Sequence, residues 1–307
     1  MRSRALSLSV LAGAQLAVGA AAIFARFALH GAGPLAVAAL RLLLASAVFA
    51  AASLLWPEPE RTTATQRRIF LLAGLALAVH FGAWIWSLQY TSVAISTLLV
   101  ATTPIWTALY DAAVHRRSLG AAGYAAFAAG AFGLYLVARS NVSPPPIAGL
   151  QPLGAGLAVL GAMAIGAYFI LVREVRAAFE TRSIVRRTYA WAAAALIAAA
   201  LIAHQPPPRL DATDAWAGIL AMALISQVLG HTGMNAALRW FSPSAVAFST
   251  LVEPVIAGLL ALLIFGERLM PAALAGGALI LAAVAVFLRY EPQSAAEWTS
   301  MHGSNVS

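Results

Sequence analysis

Ten apolar runs, each close to 20 residues long, follow one another along this chain of 307 residues. A helix rises about 1.5 Å per residue, so about 20 apolar residues cross the ~30 Å hydrocarbon core of a bilayer. We therefore predict an all-α integral membrane protein with ten transmembrane helices. The predicted spans are 6–27, 35–56, 69–90, 93–114, 119–138, 153–172, 187–203, 215–238, 244–265 and 271–288.

The composition supports this prediction and excludes other classes. Hydrophobic residues make up 62% of the chain and charged residues only 10%. Soluble globular domains carry about 25% charged residues, so this chain could not cover a surface that faces water. An ordinary soluble enzyme and a disordered protein are both excluded. The absence of cysteine also excludes disulfides, thiolate metal sites and a cysteine nucleophile.

The basic residues indicate how the helices are oriented. The net charge is +8, and all 19 basic residues are arginines. If the N-terminus is cytoplasmic, fourteen arginines fall on the cytoplasmic side, four fall outside and Arg41 lies within a span. This asymmetry follows the positive-inside rule, which explains the basic charge without a nucleic-acid partner. Both termini are therefore predicted to be cytoplasmic, and the polar residues 289–307 are predicted to form a disordered tail.

The two halves of the sequence resemble each other at a spacing of 150 residues. Ser92 then aligns with Ser242, and the mid-span Pro104 aligns with Pro254. Because each half holds five helices, the second half must enter the membrane from the opposite side, which gives an inverted-topology repeat. Transporters built this way hold their substrate near the midplane, in a central cavity between the repeats. The predicted domains are residues 1–145 and 146–288.

Four polar residues from distant parts of the chain are predicted to lie at one depth. Counted at ~1.5 Å per residue, Gln15, His80, Gln227 and Glu253 fall within about 3 Å of the midplane. Burying an unpaired polar group in hydrocarbon costs roughly several kcal/mol of free energy. A polar residue at this depth therefore indicates a functional site. We therefore predict that they share a substrate cavity.

Aromatic residues near this depth suggest the kind of ligand. Trp84 follows His80 by one helical turn on the same face. The imidazole can hydrogen-bond an amino or carboxyl group while the indole stacks on a ring, although a packed His–Trp pair without a ligand would have the same spacing. Trp106, Met163 and Tyr168 are further candidates for the cavity wall.

The eighth span carries a polar stripe at Gln227, His231 and Asn235. Two interpretations remain open for this stripe: it lines the cavity, or it bonds across packed helices. For Asn235, near the cytoplasmic end, the second interpretation is favoured.

Glu253 and the two aligned prolines are candidates for the machinery of transport. Glu253 could pair with Arg41, stay protonated as a structural donor, or titrate and couple export to protons. Pro104 and Pro254 each remove one helical hydrogen bond, and the kinks could be static or could act as hinges.

These residues carry a family resemblance. The stretch from Asn235 to Pro243, the pair Glu253-Pro254 and the segment 265–269 resemble the EamA repeat of the drug/metabolite transporter superfamily. The first half resembles the same repeat through residues 88–92 and Thr103-Pro104, and it departs from it at His115-Arg-Arg117.

The resemblance implies ten helices, cytoplasmic termini and export of small metabolites across the inner membrane of a bacterium. The aromatic midplane is similar to the branch that exports aromatic and other neutral amino acids. The alternative is another small solute on the same fold, such as a nucleoside, purine or drug-like molecule, moved in either direction. The expected partners are the solute and the bilayer; no cofactor, metal or catalytic residue is expected, and nothing in the sequence requires a second copy of the chain.

Overall fold

The structure is a computed structural model and describes residues 2–56, 61–115, 119–140, 147, 149–266 and 270–290. Within these ranges the chain forms helices joined by short connections, without a β-strand. The helices are α1 (Arg2–Gly19), α2 (Ala21–Ala28), α3 (Pro34–Leu55), α4 (Ala64–Tyr90), α5 (Val93–Val100), α6 (Thr103–His115), α7 (Ala121–Ser140), α8 (Gln151–Val175), α9 (Thr181–Ile202), α10 (Thr213–Ala221), a π-helix (Met222–His231), α11 (Thr232–Ala237), α12 (Pro243–Ser249), a 3-10 turn (Thr250–Val252), α13 (Glu253–Phe265) and α14 (Pro271–Tyr290).

Among the described residues, nine helical segments are long and apolar enough to cross a membrane. They correspond to nine of the ten predicted spans. The remaining one, predicted over 93–114, is divided at Ala101–Thr102 into α5 and α6, each shorter than a single crossing requires. The chain is therefore a multi-pass membrane protein.

The helix α4 extends beyond its predicted span because polar residues cap its first turn. The third span was expected to begin at residue 69, but α4 begins five residues earlier. The Thr63 hydroxyl accepts a hydrogen bond from the Gln66 amide, and the Gln66 side chain accepts one from the Thr63 amide. This capping box stabilises a first turn that carries arginines and that hydropathy alone does not assign to the span.

The ends of the predicted repeats lie partly outside the described residues. Residues 141–146, which contain the expected domain boundary, are not described, and neither are 267–269 of the family-like segment or residues 116 and 117. Of the predicted tail, residues 289 and 290 belong to α14, and 291–307 are not described.

The internal repeat is visible in the helix boundaries. The helices α5, α6 and α7 begin 150 residues before α12, α13 and α14, and α6 and α7 also end 150 residues before α13 and α14. The N-caps agree as well, since Ser92 accepts from the amide of Ile95 and Ser242 accepts from the amide of Ala245. The same local sequence signals therefore divide both halves at equivalent points.

Helices that correspond to each other in the two halves also pack against each other. The helix α7 packs along α14, with Gly130 beside Ala283 and Gly133 beside Ile280. A methyl group on Gly133 would lie 2.7 Å from the carbonyl oxygen of Gly276, so these helices touch through their backbones. Because higher numbers on α7 meet lower numbers on α14, the two equivalent helices run antiparallel.

Other helices of the first half also pack against helices of the second half. The helix α4 packs along α8, and the equivalent pair is formed by α1 with the π-helix and α11. The helix α3 packs along its own counterpart α9. The core between these helices is apolar and fully buried, for example at Leu42, Leu77, Phe169 and Ile184. The outward faces carry large exposed apolar side chains, which is typical of surfaces that face lipid.

Candidate functional site

A cavity lies among helices from both halves of the chain. Its walls come from the end of α1 and the start of α2, from α4, from α5 and the start of α6, from α8, from the π-helix and α11, and from the 3-10 turn and the start of α13. The lining residues are Val18, Gly19, Ala21, Ala22, His80, Phe81, Trp84, Thr97, Val100, Ala101, Thr103, Ile165, His231, Met234, Thr250, Glu253, Pro254 and Ala257.

His80 and Trp84 form one wall of this cavity. The two rings lie almost parallel, at an interplanar angle of 8° and a centroid distance of 6.3 Å. The His80 Nδ1–H donates a hydrogen bond of 2.9 Å to the carbonyl oxygen of Gly161 on α8. A Cβ at Gly161 would lie 3.4 Å from the His80 carbonyl oxygen, so the glycine allows α8 to approach α4 closely. The imidazole is therefore held in a fixed orientation beside the indole.

Phe81 lies at the centre of the ring cluster. Its ring centroid is 4.7 Å from that of His80 and 4.9 Å from that of His231. On another side, the guanidinium carbon of Arg41 lies 4.0 Å from the Phe81 centroid. Phe81 thus lines the cavity and separates it from the buried cation.

Arg41 is fully buried and makes one hydrogen bond, from its Nε to the Oε1 of Gln227, at 2.9 Å. Its two terminal nitrogens have no hydrogen-bond partner. Within the described residues, no ion pair joins Arg41 to Glu253. Glu253 lines the cavity instead and is only half-buried. Of the three roles considered for Glu253, pairing with Arg41 therefore has less structural support than a protonated donor or a proton-coupling group.

The aligned prolines lie where the helices break. Pro104 is in the first turn of α6, and Pro254 is in the first turn of α13. The carbonyl of Val100 accepts a hydrogen bond of 2.8 Å from the Thr103 hydroxyl. The carbonyl of Thr250 accepts from the backbone amide of Glu253. The breaks predicted from sequence are therefore present, and the carbonyl groups at both are satisfied locally.

The comparison with known protein families identifies the kind of protein. The EamA-like transporter family matches residues 5–139 and 152–289, which together make up most of the chain. The chain belongs to the EamA-like transporter family. No curated protein matches it.

A solved crystal structure, described only as that of a protein, has a similar fold. The match covers 92% of this chain and 96% of the solved chain. The TM-score is 0.75 and 17% of residues are identical, which shows a shared fold. Members of the EamA-like family are membrane transporters of small solutes rather than enzymes.

Five of the residues singled out from the sequence line the cavity of this EamA-like transporter. They are His80, Trp84, His231, Glu253 and Pro254. They come from three separate regions of the chain, as expected of a cavity shared by the two repeats.

Four of the predicted residues, each with a polar side-chain group, lie between helices and do not line the cavity. The Gln15 Nε2 donates to the Ser249 hydroxyl at 2.7 Å, and Gln227 accepts from Arg41. The Tyr168 hydroxyl donates to the Oδ1 of Asn235 at 2.9 Å, so Asn235 acts between helices as expected. The sequence analysis grouped such residues by their depth in the membrane, but depth does not determine which way a side chain points.

Two further wall candidates also lie away from the lining residues. Met163 is 44% exposed and shares an outward stripe of α8 with Leu153 and Leu160. The helical rotation therefore turns it away from the cavity. Trp106 is half-buried, and its Nε1–H donates to the Thr102 hydroxyl at 3.3 Å. Pro104 and Arg41 are likewise absent from the lining.

The sequence analysis missed several lining residues, above all Phe81, Thr97, Thr103 and Thr250. A signal for one of them was available, because Thr103 aligns with Glu253 at the 150-residue spacing. The π-helix was also missed: the eighth span was read as regular α-helix, but its polar segment is wound more widely. Such π segments often occur at functional sites.

Proposed function

We propose that this EamA-like transporter exports small metabolites, most favourably aromatic and other neutral amino acids. The observation that carries the proposal is the parallel His80–Trp84 pair in a cavity that also holds Glu253. The indole face offers a stacking surface for a ring-bearing side chain. The imidazole and the carboxylate offer hydrogen bonds to an amino group. A neutral, zwitterionic ligand with an apolar side chain fits this combination best.

We further propose alternating access of two five-helix inverted repeats. The antiparallel packing of α7 on α14 supports the inversion, and α5 with α6 would together form the tenth span. The two ends of the cavity differ: α6 packs closely on α12, whereas the equivalent helices α5 and α13 flank the open cavity. The arginine distribution supports cytoplasmic termini in a bacterial inner membrane, and the cavity then faces outward in this conformation.

The test is uptake into proteoliposomes that contain the purified full chain. We expect labelled phenylalanine, tryptophan and methionine to be transported and labelled nucleosides and purines to be excluded. Trp84→Ala should reduce phenylalanine transport about tenfold because the stacking surface is lost, and Trp84→Phe should retain most of it.

Trp56→Ala is the matched control, because Trp56 is exposed at the end of α3 and lies away from the cavity. It should leave transport unchanged. Transport of nucleosides or purines without transport of any amino acid would contradict the proposed substrate class and favour another solute on the same fold.

A further inference from the structure

Around Arg41, buried hydrogen-bond donors outnumber the acceptors available to them. Four groups are buried there without all of their hydrogen-bond partners: the two terminal nitrogens of Arg41, the Nε2 of Gln227 and the Nδ1 of His231. The guanidinium and amide nitrogens carry only N–H donors. Arg41 and Gln227 are fully buried, and His231 is 3% exposed. Among the described residues, the guanidinium and amide donors here therefore have no acceptor.

Within the part of the chain that the structure describes, no acidic side chain supplies those acceptors. Among the described residues, Glu253 is the single acidic residue lining the cavity, and it forms no ion pair with Arg41. Asp111, the one acidic residue in the predicted spans of the first half, accepts a hydrogen bond of 2.6 Å from Ser244. A buried guanidinium without an anion is costly in a low-dielectric interior, because one amide oxygen and one aromatic face replace only part of its hydration.

We propose that Arg41, Gln227 and His231 form a subsite for the carboxylate group of a small solute. This inference rests on the proposed function and deepens it, since it assigns the acidic end of the substrate. The two terminal nitrogens of a guanidinium match the two oxygens of a carboxylate in a bidentate pair. The Gln227 Oε1 accepts a hydrogen bond from the Nε of Arg41, which leaves the two terminal guanidinium nitrogens available.

Phe81 controls access to this subsite. Its ring lies between the cavity and the guanidinium, in contact with Arg41 on one side and with His231 on the other. Rotation of this ring exposes Arg41 to the cavity. A zwitterion then places its carboxylate at Arg41 and its ammonium group at Glu253, while its side chain stacks on Trp84. Because Arg41 is the single cation of the subsite, a ligand with one carboxylate should bind best. The negative charge of Glu253 should weaken binding of a dianion.

The experiment measures binding of three related ligands to the full chain in lipid nanodiscs by titration calorimetry. Phenylalanine carries both charged groups, phenylalaninamide lacks the carboxylate, and 3-phenylpropionate lacks the ammonium group. We expect phenylalanine to bind about ten- to hundredfold more tightly than phenylalaninamide, because the amide cannot form the charge-assisted pair. Arg41→Gln should abolish this preference, and Arg41→Lys should retain part of it.

Gln227→Glu keeps the side-chain shape and places a permanent carboxylate beside Arg41. It should raise the midpoint of thermal unfolding and weaken binding of phenylalanine and 3-phenylpropionate at least about tenfold, because the anion position is filled. This variant keeps the test decisive even where Arg41→Gln fails to fold. Ser226→Ala is the control: its hydroxyl donates to the carbonyl of Ala17, and its loss should leave the ligand preference unchanged.

The outcomes separate this inference from the proposed function. Equal binding of phenylalanine and phenylalaninamide, or unchanged binding in Gln227→Glu, overturns the carboxylate subsite while amino-acid transport stands. Binding of 3-phenylpropionate that depends on Arg41, without binding of any amino acid, supports the subsite and contradicts amino acids as substrates. Absence of binding by all three ligands overturns both.

Discussion

At the scale of single residues, buried polar groups tie the two halves of the molecule together. Gln15 bonds to Ser249, and the Ser226 hydroxyl bonds to the carbonyl of Ala17, so each contact joins one half to the other. Such pairs satisfy polar groups that hydrocarbon cannot satisfy. Glu253 differs from them, because its carboxylate lines the cavity and forms no ion pair with Arg41. Among the described acidic residues it is the one that lines the cavity, where its carboxyl group can exchange a proton with water.

We therefore expect Glu253→Gln to remove any acceleration of transport by a pH gradient. The glutamine keeps the size of the side chain but binds no proton, so transport, although weakened by the loss of a substrate contact, should proceed at the same rate with and without the gradient. Glu253→Asp should keep the response to the gradient. The measurement is uptake into proteoliposomes at equal pH and under an imposed gradient. The same gradient response in the wild type and in Glu253→Gln would assign Glu253 a structural role instead.

At the scale of helices, the sequence predicted much of the fold because hydropathy and proline act locally. The breaks at Pro104 and Pro254 lie where they were expected, and nine spans were found near their predicted positions. Rotation about a helix axis could not be predicted in this way, as Met163 shows by facing outward. The bridging contacts of Gln15 and Tyr168 depend on partners more than 60 residues away, which a local pattern does not reveal.

The two broken helices lead to a prediction about motion. If the breaks act as hinges, Pro104→Ala and Pro254→Ala should restore a continuous helix and lower turnover about tenfold while substrate affinity changes less than about twofold. Pro271→Ala is the control, since this proline begins α14 where no helical bond is lost. The measurement is initial transport rate against substrate concentration, together with equilibrium binding. Unchanged turnover in both variants would show that the kinks are static.

At the scale of the whole molecule, the two ends of the cavity are closed to different extents although the repeat relates them. On the α6–α12 side, the Ser244 hydroxyl donates to Asp111 at 2.6 Å. At the equivalent positions, 94 and 261, the sequence has alanine, which carries no polar side-chain group. If the protein alternates between two conformations, as we propose, this polar pair favours the conformation described here.

Because the chain contains no cysteine, this bias can be measured with single introduced cysteines. Thr97 lines the cavity on α5, so Thr97→Cys should react from outside the cell with a maleimide that does not cross membranes. Adding Asp111→Ala removes the bond to Ser244, shifts the population toward the opposite conformation and should slow the labelling about tenfold. Leu210→Cys, 91% exposed in the connection after α9, should react equally in both backgrounds. Labelling of Leu210→Cys only after permeabilisation would show that the protein has the opposite orientation in the membrane. Unchanged labelling of Thr97→Cys when Asp111→Ala is added would show that the Ser244–Asp111 bond does not stabilise this conformation.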